Sequence, residues 1–596
     1  MRLRLRLSLS VVSFVTVVTS GTLIHTAFFL QQHHHYQRRR QCVSSWNVPV
    51  SRQRTVRWAL EDDTDTSSTR TAAGIYVHIP FCRRRCRYCN FAIVPIGSSR
   101  RNNTVVPTSS KNDNDNSSGK EDSFLALATK YTNALVKEIE HTILMEHHHH
   151  HHRHHESFNP NNTTTTTSHK DVIITSIYFG GGTPSLAPVS VISTVLTTLY
   201  QHFVISPTVE ITMEMDPGTF SSDKLQALLA LGITRISLGI QSFNDTILEH
   251  LGRVHRSKDI DQTMQMLQQQ QQQMTSSHSN TTINSSNINS TLNYSLDLIA
   301  SVPGLSLAQW TETLYKAISL QPPPQHLSIY DLQVERGTVF AQWYDNNNNN
   351  NKDTTGGTNR NPATRFPPLP SEEDAAFMYK YTAGYLKARG YEHYEVSSYA
   401  KVVERHDDTT TTTVSPFRSK HNQMYWATDG QWYAFGLGAT SYRNGLLQAR
   451  PKTFYDYLQW VDQFTRGPEN DTTTTTGHDE HASSVKGEFE AHVPEELDYL
   501  MDIVLKRLRT MEGLSLEWVR SSFGRRGNDY VHAICQGAQL AIDLGLAVIE
   551  PHKEMNNDQT TATTLRLVDP KGFLFSNTII SSIFVELEAV AEKTER

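Results

Sequence analysis

Short runs of β-forming residues alternate with longer amphipathic stretches along most of this 596-residue chain. That alternation predicts an α/β fold whose strands are parallel and joined by right-handed crossovers. Six strand–helix units fit a partial (β/α)6 barrel better than a closed barrel of eight strands. The predicted strands are Ile75–Ile79, Ile173–Phe179, Val209–Met215, Arg235–Ile240, Tyr294–Ile299 and His326–Leu332. The predicted helices are Phe124–Met145, Val189–His202, Asp223–Leu231, Asn244–Leu251 and Leu307–Leu320.

Seven low-complexity tracts interrupt this pattern, each rich in Asn, Thr, Ser, Gln, His or charged residues. Such compositions cannot pack a core, so each tract is expected to be a disordered surface loop. The tracts span residues 97–121, 147–170, 268–293, 345–364, 405–415, 467–485 and 554–563. The histidine-rich run 147–155 has metal-binding chemistry, but it lies among other homopolymeric runs, which favours an insertion without function.

The remaining sequence divides into five regions. They are a targeting presequence (1–60), a linker (61–73), the barrel (74–345), an extension (365–466) and a C-terminal domain (488–596). Three helices and a short hairpin predict a winged-helix-like α+β fold for the last region. Its elements are predicted at Pro494–Met511, Leu516–Phe523, Tyr530–Leu544, Ala547–Glu550 and Leu565–Val568. The net charge of −5 and the lack of a basic stripe argue against a nucleic-acid partner and favour a packing or partner-binding role.

The N-terminal region has the composition of a targeting segment. Residues 1–60 contain nine arginines and no acidic residue, and an apolar stretch runs from Leu7 to Leu30. A basic, acid-free segment of this kind predicts an organellar presequence, for a mitochondrion or a plastid. A single membrane anchor is the alternative, since the stretch is just long enough to span a bilayer. Without import, the cytoplasm is the fallback location.

Three of the five cysteines, Cys82, Cys86 and Cys89, lie within eight residues, directly after the first predicted strand. Thiolates spaced C-x3-C-x2-C can ligate three irons of a 4Fe–4S cubane. The fourth iron then keeps an open position, as catalytic metal sites do. A zinc site is disfavoured because no second cysteine pair exists to complete four ligands. The arginines between the cysteines are expected to favour thiolates.

Small and polar residues follow the other predicted strands. Gly180-Gly181-Gly182-Thr183-Pro184 follows the second strand, and glycines there let backbone amides approach a ligand. Glu214, Gln241, Arg253 and Asp297 lie near the ends of later strands, where a barrel presents its site. The alternatives are a tight turn for the glycines and solvated surface positions for the polar residues.

The segment from Tyr76 to Phe91, with its aromatic residue just before the third cysteine, resembles the motif of the radical S-adenosylmethionine (SAM) superfamily. The resemblance implies a radical SAM barrel with a 4Fe–4S cluster on the three cysteines, and SAM at the open iron. It also implies SAM contacts, with Tyr88 near the adenine and the glycine motif at the amino group. The implied SAM-binding residues are Tyr76, Tyr88, Gly181, Gly182, Thr183, Glu214, Gln241, Arg253 and Asp297; no catalytic residue is assigned.

Further segments resemble the coproporphyrinogen III oxidase-like branch of that superfamily. They are His326–Thr338, Tyr391–Ser397, His421–Trp426, Gly436–Ser441 and Leu508–Leu514. The branch contains oxygen-independent coproporphyrinogen III dehydrogenases and HemW-type haem chaperones. The dehydrogenases carry a fourth cysteine where this chain has Phe91, and the His-Asn-x-x-Tyr-Trp motif at His421 marks the chaperones. The resemblance therefore favours a chaperone that binds SAM and haem, with the dehydrogenase as the alternative.

The chaperone class implies three kinds of partner: haem, haem-acceptor proteins including membrane-bound ones, and an electron donor for the cluster. His421 is the candidate haem ligand, and His78 and His255 remain eligible. The alternative is that His421 hydrogen-bonds a core turn while the aromatic residues beside it pack. One departure from the family is Ser301, which replaces a usual glycine. A serine fits there if its φ stays negative or the loop adjusts.

Overall fold

The structure is a computed structural model that describes residues 71–97, 117–153, 172–277, 291–344, 366–403, 414–443, 445–466, 496–552 and 562–594. The predicted presequence, most of the predicted linker and most of the low-complexity tracts lie outside these residues. No helix among the described residues is both long and apolar enough to cross a membrane.

Six parallel strands form the centre of the fold. The first eight strands are β1 (Thr71–Ile79), β2 (Phe81–Cys82), β3 (Val94–Pro95), β4 (Val172–Gly181), β5 (Val204–Met215), β6 (Arg235–Gln241), β7 (Tyr294–Ala300) and β8 (His326–Asp331). Strands β2 and β3 pair with each other, and the other six lie in the order β1-β4-β5-β6-β7-β8, all parallel. The six predicted strands are confirmed. The sheet stays open and does not close into a barrel among the described residues.

Five more strands, none of them predicted, widen the sheet to eleven. They are β9 (Tyr391–Glu395), β10 (Ser398–Lys401), β11 (Trp432–Phe435), β12 (Thr440–Arg443) and β13 (Leu446–Ala449). Strand β11 lies parallel to β1, and β12 and β13 continue from it as an antiparallel edge. Strands β9 and β10 form a hairpin on the other edge, against β8. The extension therefore completes both edges of the sheet.

Helices connect the strands. They are α1 (Ser117–Arg153), α2 (Val189–His202), α3 (Ser222–Ala230), α4 (Asp245–Leu251), α5 (Ser257–Ser277), α6 (Leu307–Ser319), α7 (Val339–Tyr344), α8 (Glu372–Lys387), α9 (Lys420–Trp426) and α10 (Phe454–Arg466). The five predicted helices correspond to α1, α2, α3, α4 and α6. The predicted loops at 97–121, 147–170 and 268–293 are wrong in part, because α1 covers residues 117–121 and 147–153 and α5 continues through the glutamine run as far as Ser277. Glutamine is a good helix former, and Leu267 anchors that helix in the core.

One face of the parallel sheet is polar, and α9 packs on it. His421 of α9 bonds through Nδ1 to Ser176 Oγ of β4 at 2.9 Å, and its backbone N–H donates to Glu210 Oε1 of β5 at 3.4 Å. Arg235 of β6 donates to the carbonyl of Phe417, just before the helix. The segment that contains the His-Asn-x-x-Tyr-Trp motif therefore covers this face, away from the carboxyl ends of the strands.

The C-terminal region has a core of its own. Its elements are α11 (Glu496–Arg507), β14 (Leu514–Ser515), α12 (Leu516–Ser522), α13 (Gly527–Asp543), β15 (Ala547–His552), β16 (Ala562–Leu567), α14 (Lys571–Leu574) and α15 (Ser576–Thr594). The three predicted helices and the hairpin β15–β16 are present, whereas α14 and α15 were not predicted. The sequence's division into domains remains a prediction.

Candidate functional site

A cavity opens at the carboxyl ends of the parallel strands. It is lined by the cysteine loop that follows β1, by the glycine motif after β4 and by residues at the ends of β5 to β8. Every predicted cluster and SAM residue lines it except Tyr76. The lining includes Cys82, Cys86, Cys89, Tyr88, Gly181, Gly182, Thr183, Glu214, Gln241, Arg253 and Asp297. Parallel strands explain this convergence, because their carboxyl ends meet on one side of a sheet.

The cysteine loop is closed by main-chain hydrogen bonds. The short pair β2–β3 joins its two ends, with Val94 N donating to Pro80 O and Ile96 N donating to Cys82 O, both at 2.8 Å. Within the loop, Cys89 N donates to Cys86 O at 3.3 Å. The three cysteines are free thiols of intermediate burial, so the loop presents them together to the cavity.

The thiols fit a cluster better than a single ion. Burial raises the pKa of Cys82 well above its usual range and that of Cys89 to about 11, and the neighbouring thiols add to both effects. Arg85 and Arg253 oppose the rise at Cys89 but do not overcome it. Arg85 therefore favours the thiolate of Cys89, as predicted, but burial outweighs its effect in the metal-free loop, and binding iron must release the protons. Across the described residues, no three His, Cys, Asp or Glu side chains converge on a single metal ion. A cubane suits wider spacing, because each thiolate binds a different iron.

Two loop arginines also hydrogen-bond to carbonyls at the C-terminal end of α4. Arg84 donates to Gly252 O at 2.8 Å and to Arg253 O at 2.6 Å. Arg87 donates through its guanidinium to Glu249 O at 2.7 Å and to His250 O at 3.1 Å. Cations near the carbonyls that end a helix also complement its dipole. These contacts hold the cysteine loop next to Arg253.

The glycine motif lies against the start of the cysteine loop. Gly181 has φ +112°, and a Cβ there would collide with the imidazole of His78. At Gly182 a Cβ would lie 2.6 Å from the carbonyl carbon and oxygen of Pro80. Gly182 N donates to Ile79 O and Thr183 N donates to Phe81 O, at 2.9 and 2.8 Å. Glycine is required at Gly182 because its backbone touches that of Pro80, and at Gly181 because of its positive φ and the adjacent His78 ring.

Two carboxyl groups line the cavity, the partly buried Glu214 and the buried Asp297. Glu214 accepts hydrogen bonds from Tyr178 Oη at 2.9 Å and from Gly181 N at 3.1 Å. Burial, followed by the charge of Asp297, raises the pKa of Glu214 to about 8. Asp297 accepts from Ser237 Oγ at 2.9 and 3.1 Å, and burial raises its pKa to about 6. A ligand that donates hydrogen bonds or carries positive charge would stabilise the ionised form of both carboxyl groups and lower their pKa values.

Asp216 is a site residue that sequence reasoning missed. It forms an ion pair with Arg253 and accepts from Thr183 Oγ1 at 3.3 Å. Arg253 also donates to Gly239 O at 3.0 Å and lies 3.7 Å from Cys86 Sγ. Asp216 therefore connects the glycine motif to the arginine beside the cluster cysteines. Its signal in the sequence was its position two residues after Glu214, directly after the end of β5.

Gln241 reaches the cavity from a strained turn. Its φ is +65°, and Ser242 N donates across it to Ile240 O at 2.8 Å. A non-glycine residue in this conformation costs free energy, and such strain is typical of functional sites. The turn ends β6 and places Gln241 in the wall of the cavity.

Tyr76 and His421 are not among the residues that line the cavity, and their roles as SAM and haem contacts stay predictions. Both are buried on the polar face of the sheet, where the His421 ring stacks on Tyr178 with centroids 5.0 Å apart. His421 Nε2 bonds to Tyr425 Oη at 2.9 Å, so both ring nitrogens are engaged. Tyr76 Oη bonds to His78 Nδ1 at 3.1 Å. Binding of haem iron at His421 would therefore require one of its two hydrogen bonds to break.

Ser301 adopts the conformation of the glycine it replaces. Its φ is +56°, contrary to the expectation of a negative φ or an adjusted loop. A left-handed residue with a Cβ costs about 1–2 kcal/mol. Ser301 Oγ donates to Asp331 Oδ1 at 3.0 Å, which offsets part of that cost.

Comparisons with known proteins show what the whole chain is similar to. The model of the radical SAM superfamily matches residues 167–281, which begin beyond the cysteine loop. The haem chaperone HemW of Synechocystis is 28% identical over 544 residues, covering 88% of this chain and 99% of that protein. A mouse protein named radical S-adenosyl methionine domain-containing protein 1, mitochondrial, is 27% identical, covering 64% of this chain and 63% of its own. Among solved structures, the coproporphyrinogen III oxidase HemN of Escherichia coli, described as a radical SAM enzyme, has a TM-score of 0.55 at 16% identity. That match covers 88% of this chain and 91% of HemN, and it shows the fold alone.

Proposed function

We propose that this chain, which belongs to the radical SAM superfamily and to the HemW subgroup of its coproporphyrinogen III oxidase-like family, is a haem chaperone. It binds a 4Fe–4S cluster, SAM and haem, and it delivers haem to acceptor proteins. Cys82, Cys86 and Cys89 hold the cluster, and an electron donor reduces it. The observation that carries the proposal is the cavity that joins these cysteines to the glycine motif and the carboxyl groups of Glu214 and Asp297.

The SAM site follows from the shape and charge of the cavity. Gly181 and Gly182 bring their backbone close to the cysteine loop, where the amino acid part of SAM would chelate the open iron. Glu214 and Asp297 supply acceptors for its hydroxyl and amino groups. When bound and reduced, a cluster of this type can donate an electron to the sulfonium of SAM.

Phe91 favours a chaperone over a dehydrogenase. It lines the cavity at the position where the dehydrogenases of this family carry a fourth cysteine. The names of the HemW relatives support haem binding and delivery. The rival function is oxygen-independent coproporphyrinogen III dehydrogenase, and the observation that favours it is the cavity lined by most of the predicted SAM residues.

Location in an organelle is part of the proposal. The acid-free N-terminal composition and the mitochondrial name of mammalian relatives support it. A fusion of residues 1–60 to a fluorescent protein tests this step, and diffuse cytoplasmic fluorescence would contradict it.

Haem binding and delivery are tested together. Anaerobically reconstituted protein is titrated with haemin, and the loaded protein is then mixed with an apo-cytochrome of the b type. The expected results are a saturable Soret band and the appearance of the acceptor's own spectrum, faster than from free haemin. Cys86→Ala serves as the matched control without a cluster. Absence of saturable haemin binding by the wild-type protein would refute the chaperone role.

A further inference from the structure

His255 lines the cavity and has so far been named only as an eligible haem ligand. It follows Arg253 and Val254 in the loop after α4, and its side chain lines the cavity beside Gln241. Only 4% of the residue is exposed. A nearly buried imidazole in a ligand cavity must satisfy two ring nitrogens, so the partners of each decide what it can do.

The hydrogen bond at Nε2 fixes the tautomer. His255 Nε2 lies 3.1 Å from the carbonyl oxygen of Ile240. A carbonyl oxygen only accepts, so Nε2 carries the proton and donates. Burial, with the neighbouring Arg253 charge, lowers the pKa of His255 to about 4, which leaves the ring neutral. A neutral ring protonated at Nε2 has a lone pair at Nδ1.

The carbonyl oxygen of Ile240, which accepts from His255, also accepts the hydrogen bond that closes the strained turn at Gln241. Ile240 O also accepts from Ser242 N at 2.8 Å, across Gln241 with its φ of +65°. A second donor on this carbonyl stabilises the turn in a conformation that the backbone alone disfavours. His255 therefore contributes to the position of Gln241, a predicted SAM residue.

The other ring nitrogen of His255, Nδ1, is not fully buried. Nδ1 has no hydrogen-bond partner among the residues that the structure describes, and it is not sealed from solvent. An acceptor on the wall of a ligand cavity is satisfied by water or by a ligand that donates. SAM carries such donors in its ribose hydroxyls, its ammonium and its adenine amino group.

We propose that His255 is a SAM-binding residue that accepts a hydrogen bond from SAM at Nδ1 while Nε2 holds the turn of Gln241. The inference rests on the SAM site of the proposed function and is independent of the haem role. It adds an acceptor to the cavity wall beside Gln241 and Arg253.

Two substitutions separate the two nitrogens. In His255→Gln the side-chain amide reaches the Nε2 position, so the donor to Ile240 O is kept and the Nδ1 acceptor is lost. In His255→Asn the amide oxygen lies near the Nδ1 position, so an acceptor is kept and the donor to Ile240 O is lost. The exposed His532 in α13 provides the matched control His532→Gln.

SAM affinity is measured by anaerobic calorimetry on reconstituted protein. We expect His255→Gln to bind SAM about tenfold more weakly at an unchanged melting temperature. His255→Asn should keep more of the affinity and melt at a lower temperature, and His532→Gln should match the wild type. Wild-type affinity in His255→Gln would overturn the inference.

A spectroscopic readout tests the tautomer directly. With 15N-labelled histidine, the resonance lost in His255→Gln should show an unprotonated Nδ1 in the metal-free protein, and in the reconstituted protein it should shift when SAM is added. A protonated Nδ1, or no shift although SAM binds, would overturn the inference. Failure of the wild-type protein to bind SAM at all would instead remove the proposed SAM site itself, and this inference with it.

Discussion

Gly182→Ala is the substitution whose effect the structure defines best. The new Cβ would lie 2.6 Å from the backbone of Pro80 and 2.8 Å from Phe81 O, whereas ordinary contacts begin at 3.4 Å. The atoms in the way belong to the main chain and not to a flexible side chain. The glycine motif and the start of the cysteine loop must therefore separate by about 0.8 Å.

That separation weakens the main-chain hydrogen bonds that join the glycine motif to the start of the cysteine loop. Gly182 N to Ile79 O and Thr183 N to Phe81 O both lengthen, and overpacking of this kind costs about 1–3 kcal/mol. We expect a lower melting temperature, by about 2–4 °C for each kcal/mol. Less iron should also be retained after reconstitution, because Cys82 directly follows Phe81.

Gly384 supplies the matched control. It lies in α8, and a Cβ there would meet nothing within 4 Å. Gly384→Ala should raise stability by up to about 1 kcal/mol, since alanine is the better helix former. Melting is followed by circular dichroism, and iron is quantified after anaerobic reconstitution. Equal melting temperatures and iron contents for Gly182→Ala and the wild type would refute the close approach of the two segments.

Two further predictions concern the cluster and Glu214. Cys86→Ala should abolish the iron–sulfur absorbance of reconstituted protein, and an unchanged spectrum would disprove its role as a ligand. Burial raises the pKa of Glu214 to about 8, so the folded metal-free protein holds a proton that the unfolded chain releases near pH 4.3. Stability therefore falls as the pH rises from about 4.5 to 8. Glu214→Gln should weaken this fall, giving a higher melting temperature than wild type at pH 8 but not at pH 5, whereas parallel pH profiles would contradict the raised pKa.

The cavity was predictable because its residues lie at the ends of predicted parallel strands. Once β4, β5, β6 and β7 are placed side by side, Gly182, Glu214, Gln241 and Asp297 must meet near the cysteine loop. That inference needs only the order of elements and the rule that parallel strands end on the same side. The parallel α/β sheet followed from the same reasoning, whereas the radical SAM assignment came from the resemblance of the cysteine motif.

Whether a given residue on or near a strand reaches the cavity was not predictable in the same way. Tyr76 precedes the cysteines by only six residues, yet it lies below the cavity and packs in the polar face. His421 belongs to a motif rich in ligand-type residues, but α9 buries it against β4, a long-range contact that no local pattern encodes. The pairing of β11 with β1 was missed for that reason too.

The chaperone assignment is tested most directly by turnover of the porphyrinogen. Reconstituted protein is incubated anaerobically with coproporphyrinogen III, SAM and a reductant, and the porphyrins are separated after oxidation. Our expectation is that no protoporphyrinogen forms, while the same preparation binds haemin. Catalytic conversion of coproporphyrinogen III to protoporphyrinogen would contradict it and make this protein a dehydrogenase.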